Sequence, residues 1–194
     1  LNLKRAKLTA FGMTRRPVVT ASRDPGIRTI MRSGVRVATL VGKTWDMHVK
    51  EALRVSYEEN LRMIRDSISF LKKRLDEVFF DAEHFFDGYK LNPEYSLLTL
   101  QVALEAGATM LVLCDTNGGF LSHEVERIVG EMTNTIPDAV FGCHFHNDSG
   151  MAVGLCQMMS QRSHQPSACN ASATRQGMPT RSLGLRPSPF LRVP

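Results

Sequence analysis

Met110-Leu111-Val112-Leu113-Cys114 is an unbroken apolar run, and Asp115-Thr116-Asn117-Gly118-Gly119 follows it directly. The first half has strand length and strand composition. The second half is polar and turn-prone. The pattern recurs along the chain. Val35–Val41 leads into Gly42, Lys43 and Asp46; Glu77–Ala82 leads into Glu83 and His84. Ala139–His144 leads into His146, Asn147 and Asp148, and Ala6–Phe11 is a fifth apolar run.

Helix signals fill the gaps. Asp24-Pro25 places a capping side chain before a proline at the first helical position, and Gly34 can close that helix. Ser56 with Glu59 reads as a capping box ahead of Leu61, Ile64, Ile68 and Leu71 on one face. Asn92-Pro93 opens a helix that Gly107 ends, and Ser122 with Glu124 and Glu126 opens another that runs to about Asn134. Strand and helix in alternation predict an α/β fold of about five βα units around a parallel sheet. Five units could build an open doubly wound sheet. A closed eight-unit barrel takes about 250 residues, so a barrel would be present only in part.

The 194 residues carry a formal charge of +5. The excess is local. From Leu155 to Pro194 there are five arginines (Arg162, Arg175, Arg181, Arg186, Arg192) and no acidic residue. Taking those five from the 24 basic residues leaves 19 basic against 19 acidic groups in the body. This neutral body argues against nucleic-acid binding, and a tail whose only aromatic is Phe190 lacks a stacking surface. No apolar run approaches the ~18 residues of a membrane span. The tail holds five of the nine prolines and predicts a disordered segment, so the chain divides into a body, 1–154, and a tail, 155–194. Cys114, Cys143, Cys156 and Cys169 form no CxxC pair and read as free thiols of a reducing compartment.

Polar residues at the carboxyl ends of parallel strands gather into one site. Side chains two apart on a strand point the same way, so His144 and His146 can reach one ion while Phe145 packs behind. Two neutral imidazoles suit Zn, Mn, Fe or Co, with a further carboxylate ligand required. The alternative is a pair of ordinary polar histidines. Asp115–Gly119 is either a turn or a loop that presents Thr116 to a small polar substrate. Glu83, between Phe79-Phe80 and Phe85-Phe86, is either a carboxylate raised for proton transfer or one satisfied by a lysine or the backbone.

The run Gly142-Cys143-His144-Phe145-His146-Asn147-Asp148-Ser149-Gly150-Met151-Ala152 resembles the H-x-H-N-D-x-G-x-A motif of the isopropylmalate, homocitrate and citramalate synthases. These belong to the DRE-TIM metallolyase superfamily, with a barrel like that of HMG-CoA lyase. Lys7–Pro17, Leu40–Asp46, Phe79–Lys90 and Leu113–Gly119 are similar to the citramalate synthase branch. The resemblance covers about residues 4–153. It implies a partial TIM (β/α)8 barrel, about strands 3 to 7, of a cytoplasmic acyltransferase of branched-chain amino-acid biosynthesis. Such an enzyme condenses acetyl-CoA with an oxo acid, pyruvate by preference and 2-oxoisovalerate as the alternative. It further implies a divalent metal (Mg, Mn or Zn) on His144 and His146. Glu83 and Thr116 would be catalytic and, with Asn117, would bind substrate; Asn147 and Asp148 would orient the ligands. Full-length relatives are homodimers. The family's D-x-x-x-R motif and its G-x-G-E-R-x-G-N region have no counterpart in this sequence. A reading-frame change near residue 154, or a genuine evolved tail, would account for the sequence after Gly154. The 194-residue chain alone is therefore expected to be inactive and poorly soluble, or a non-catalytic remnant.

Overall fold

A computed structural model describes residues 7–162 and 168–172. Five strands fall where the apolar runs predict them: β1 (Thr9–Met13), β2 (Val37–Lys43), β3 (Glu77–Glu83), β4 (Met110–Asp115) and β5 (Phe141–His146). Each runs one to two residues further toward its polar cluster than the apolar run does. A parallel ladder is made by backbone groups, so pairing continues through polar side chains: Lys43 is in register with Glu83, and Asp115 with Phe145. The sheet is wholly parallel and its strand order is sequential. A doubly wound sheet reverses its order at a switch point, whereas a barrel adds each strand beside the last. The order therefore selects the barrel.

The helices begin and end on the residues that signal them, with one exception. Asp24 Oδ1 accepts from Ile27 N–H at 3.1 Å at the start of α1 (Pro25–Arg32), and Gly34 beyond its end has φ +73°. Ser56 Oγ accepts from Glu59 N–H to open α3 (Tyr57–Lys72), which follows a short α2 (Asp46–His48) and a π-turn, Val49–Leu53. Asn92 Oδ1 accepts from Tyr95 N–H ahead of α5 (Pro93–Glu105). The exception is α6 (Ser122–Thr135). Ser122 is its first helical residue rather than its cap, and the Glu124 carboxylate reaches back to Leu121 N–H. Two elements carry no advance signal: α2 with its π-turn, and α4 (Phe85–Leu91), which follows β3 without a loop.

The domain boundary placed at 154 falls inside α7 (Ala152–Arg162). A sixth strand, β6 (Ala168–Ser172), pairs parallel with β5, so regular structure enters the segment read as a disordered tail. Helix and strand lie within the Pro-poor first part of that segment, where backbone pairing along β5 is available. Four of its five arginines, Arg175 through Arg192, lie outside the described residues. Of the cysteines read as free, Cys114 and Cys143 are free and buried, whereas Cys156 is disulfide-bonded.

The sheet has two chemically different faces. Ala38, Leu40, Val78, Phe80, Ala82, Leu111, Leu113, Phe141, Cys143 and Phe145 point to the helices and form one core with Ile64, Ile68, Leu100, Ile128 and Met132. The packing is tight: a Cβ on Gly42 would lie 2.5 Å from the Phe80 ring. By the two-residue period, Thr39, Lys43, Asp81, Glu83, Cys114, His144 and His146 share the opposite face, which is the barrel interior. At β1 that face is open: Phe11 and Met13 are 67% and 52% exposed. Among the described residues no helix is long and apolar enough to cross a membrane.

Candidate active site

The carboxyl ends of β2 to β5 converge, and each delivers part of a polar site. His144 and His146 stand two apart on β5, with ring centroids 5.2 Å apart and planes 33° from one another. Phe145 between them is fully buried in the helix-side core, which fixes the alternation. Burial, and then the neighbouring His144 and His84, hold His146 below the ordinary imidazole value against the pull of Asp148 and Asp115. The shift favours the neutral imidazole, the form that ligates a metal. The donor chemistry and common orientation of the pair fit a divalent cation.

Glu83 ends β3 on the same face and is ion-paired with Lys43, its register partner on β2. Phe80, Phe85 and Phe86 belong to the opposite, helix-side core. The lysine-satisfied alternative for Glu83 is thus the one realised in the fold, and of the four phenylalanines near it in sequence only Phe79 shares its face of the sheet. Thr44 hydroxyl donates to the Glu83 carbonyl at 2.8 Å, fixing the turn from β3 into α4. That turn places His84 at φ +55°, in the left-handed region, where the Thr116 hydroxyl oxygen accepts its N–H at 2.9 Å. Thr116 thus ties the β4 loop to the β3 end.

The β4 loop is organised from below. Asp115 is fully buried, and its carboxylate accepts from the N–H groups of Gly118 (2.9 Å), Gly119 (3.4 Å) and Phe120 (3.1 Å). Burial raises its carboxyl above the ordinary value, and the three N–H groups partly offset this. Gly118 has φ +64°, and a Cβ there would lie 2.8 Å from the His146 carbonyl. Gly118 carbonyl accepts from Ser149 N–H at 3.3 Å, joining this loop to the one after β5. Asp115–Gly119 is accordingly a turn, and it holds Thr116 against the end of β3. Asn117 is exposed and hydrogen-bonds to Asp87, whose carboxyl burial pushes up and whose bonds to His84 and Asn117 bring below the ordinary value. Asn147 Oδ1 accepts from Ala152 N–H at 3.0 Å and so starts α7, while Asp148 is exposed.

Sequence reasoning passed over three features. Asp81 and Cys114 lie on the interior face, and their donor atoms and that of His144 are all within 4.8 Å of one another. The signal was available, since Asp81 is two residues before Glu83. Trp45, His48 and His84 form an aromatic cluster with centroid separations of 4.4 to 5.7 Å. In that cluster Trp45 Nε1 and His48 Nδ1 are buried without a hydrogen-bond partner among the described residues. Burial, with His84 and Lys43 next, lowers His48.

The HMGL-like family model matches residues 7–162. An (R)-citramalate synthase of Aquifex aeolicus is 52% identical over 153 residues, which is 79% of this chain and 29% of the relative. A 2-isopropylmalate synthase of Prochlorococcus marinus is 31% identical over 121 residues, 61% of this chain and 21% of the relative. The hydroxymethylglutaryl-CoA lyase of Pseudomonas aeruginosa superimposes with a TM-score of 0.66 at 15% identity, over 86% of this chain and 53% of that one. The likeness to the lyase is one of fold. The chain spans less than a third of the length of these curated relatives.

Proposed function

The chain belongs to the HMGL-like family, and from that membership we propose that it is the central part of a catalytic barrel of the citramalate synthase type. In this reading acetyl-CoA and pyruvate condense with water to give citramalate and free CoA, in the cytoplasm and on the path to branched-chain amino acids. His144 and His146 would hold the divalent metal, and that metal would supply Lewis acidity toward the oxo acid. Thr116 would contact the oxo acid at the end of β4. Glu83, held by Lys43, would face the same substrate, with Asn117 at the rim. Asn147 and Asp148 would orient the ligands from the loop that follows β5, where Asn147 also starts α7 through its bond to Ala152. Homodimer formation belongs to the same reading.

One observation carries it. Three neighbouring parallel strands, β3 to β5, carry Glu83, Thr116, His144 and His146 at their carboxyl ends, in a chain whose greater likeness is to the citramalate branch. Pyruvate is favoured over 2-oxoisovalerate on that same difference in likeness.

With five of eight units and an open interior at β1, the 194-residue chain alone should show no turnover. The test is a chimera in which residues 7–153 replace the matching segment of the Aquifex aeolicus relative. Thiol release from acetyl-CoA is followed with pyruvate and with 2-oxoisovalerate. Pyruvate-dependent release that His144→Ala and Thr116→Val each abolish supports the reading. A folded chimera without it overturns the reading, and a preference for 2-oxoisovalerate moves it to the isopropylmalate branch.

A further inference from the structure

The His144–His146 pair has a second donor set beside it, deeper in the barrel. Cys114 and His144 are register partners on neighbouring parallel strands, and Asp81 stands on the next strand on the same face. One ligand atom from each lies within 4.8 Å of the other two. Asp81 and Cys114 are buried and His144 is half-buried.

Asp81 is 7% exposed, although its carboxylate oxygens are not among the buried polar atoms that lack a partner. Its ionic neighbour is His144 Nδ1, at 3.6 Å, which is beyond hydrogen-bond reach. A largely buried carboxylate beside an imidazole and a thiol gains from a cation held among the three groups. Cys114 Sγ makes only a weak contact, 3.6 Å to the Val112 carbonyl. One sulfur, one imidazole and one carboxylate form a mixed set that Zn-type ions accept. Mg and Ca, which demand oxygen ligands, do not suit it.

We propose that Asp81, Cys114 and His144 bind a thiophilic divalent cation of the zinc class, one ligand atom each, with a fourth position open to water or a small ligand. The Cys114 S–H bond breaks as the sulfur–metal bond forms, and its proton leaves to solvent. The site rests on these three side chains and shares His144 with the pair of the proposed function, so an ion held here draws that imidazole away from the pair. It also differs from the His144–His146 pair in its sulfur ligand, which gives it a spectroscopic signature.

The 194-residue chain is titrated with Co2+ under reducing conditions. The expected result is a strong near-ultraviolet sulfur-to-cobalt band with tetrahedral visible bands. Cys114→Ser abolishes the near-ultraviolet band. Cys114→Ser and Asp81→Asn each weaken binding at least about tenfold, the lower end of what even outer-shell changes cost a metal site. His146→Ala and Cys143→Ala keep the band. Should Cys114→Ser fail to fold, the band itself reports sulfur ligation, and folded Asp81→Asn then carries the test through its affinity. Absence of the band in the native chain overturns the proposal, as does a band that survives Cys114→Ser. Cobalt binding that ignores Cys114→Ser and is lost in His146→Ala also overturns it, and leaves the metal ligands of the proposed function standing.

Discussion

Replacing Asp115 with alanine should loosen the loop that carries Thr116. The carboxylate accepts three backbone N–H groups, from Gly118, Gly119 and Phe120. Gly119 is exposed and can turn to water, but Gly118 and Phe120 are buried. Gly118 N–H also reaches the Asp115 carbonyl at 3.3 Å, so Phe120 N–H is the buried donor left unpaired. That costs about 1–3 kcal/mol, and the weakened Gly118 bond adds about 1 kcal/mol. Removing the buried charge returns part of this, because burial already raises the Asp115 carboxyl. The net expectation is a loss of about 2 kcal/mol for Asp115→Ala, or about 4–8 °C in Tm for a chain of this size. Asp115→Asn should lose about half as much. Its remaining oxygen can still accept from Gly118 and Gly119, whereas its NH2 would face the Phe120 N–H.

Trp45 is the only tryptophan, so urea melts read by its fluorescence at low protein concentration, beside far-ultraviolet circular dichroism, measure both losses. The pH dependence adds a second check. With a folded value above the unfolded one, the contribution of Asp115 is complete below the unfolded carboxyl range and fades as pH rises through the folded value. Asp115→Asn removes that slope. An alanine variant within about 1 kcal/mol of the native chain, or an asparagine variant as unstable as the alanine one, would refute the reasoning, since both follow from the same unpaired donor.

Three further outcomes are expected. Gly88→Ala should cost about 1–3 kcal/mol or more in the same melts, because its Cβ would stand 2.9 Å from the Thr44 carbonyl and from Trp45 Cα, which are backbone-fixed. Burial, eased by the Asn60 hydrogen bond, pushes the Tyr95 phenol up to about 12. Its folded value exceeds the unfolded one of about 10, so stability from this group is complete below pH 10 and is lost toward pH 12 at up to about 1.4 kcal/mol per unit. Tyr95→Phe should flatten that alkaline slope, and a slope unchanged in the variant counts against the assignment. Arg15→Met should destabilise by about 2–3 kcal/mol in urea melts. It leaves Glu59 and Asp66 without the buried guanidinium they share, though both carboxylates keep some access to water. A loss under about 0.5 kcal/mol would place that ion pair among the inert surface pairs.

Five strands and the capped helices were legible because their signals are local. Caps such as Asp24, Ser56 and Asn92 act within one turn, and an apolar run states its own strand. The His144-Phe145-His146 alternation was legible for the same reason, since the period of a strand is fixed by its pleat. Glu83 shows where local reading stops. Three of its four phenylalanine neighbours in sequence, Phe80, Phe85 and Phe86, belong to the helix-side core, and its ionic partner is Lys43, forty residues earlier on the adjoining strand. The early part of the tail fails in the reverse way. Its composition carries no period, yet strand β6 is held by pairing with β5, an interaction that composition does not register.

Sequence alone determined five of the strands and the four helices that carry start signals, which face of those strands is apolar, and that polar groups collect at their carboxyl ends. Each depends on contacts within a few residues. Tertiary structure alone decided the sequential strand order, and with it the barrel. It also decided the meeting of Asp81, Cys114 and His144 and the pairing of Lys43 with Glu83. Those depend on which strand lies beside which and in what register. Register follows from packing the whole helix-side face into one core, and no single segment contains that information.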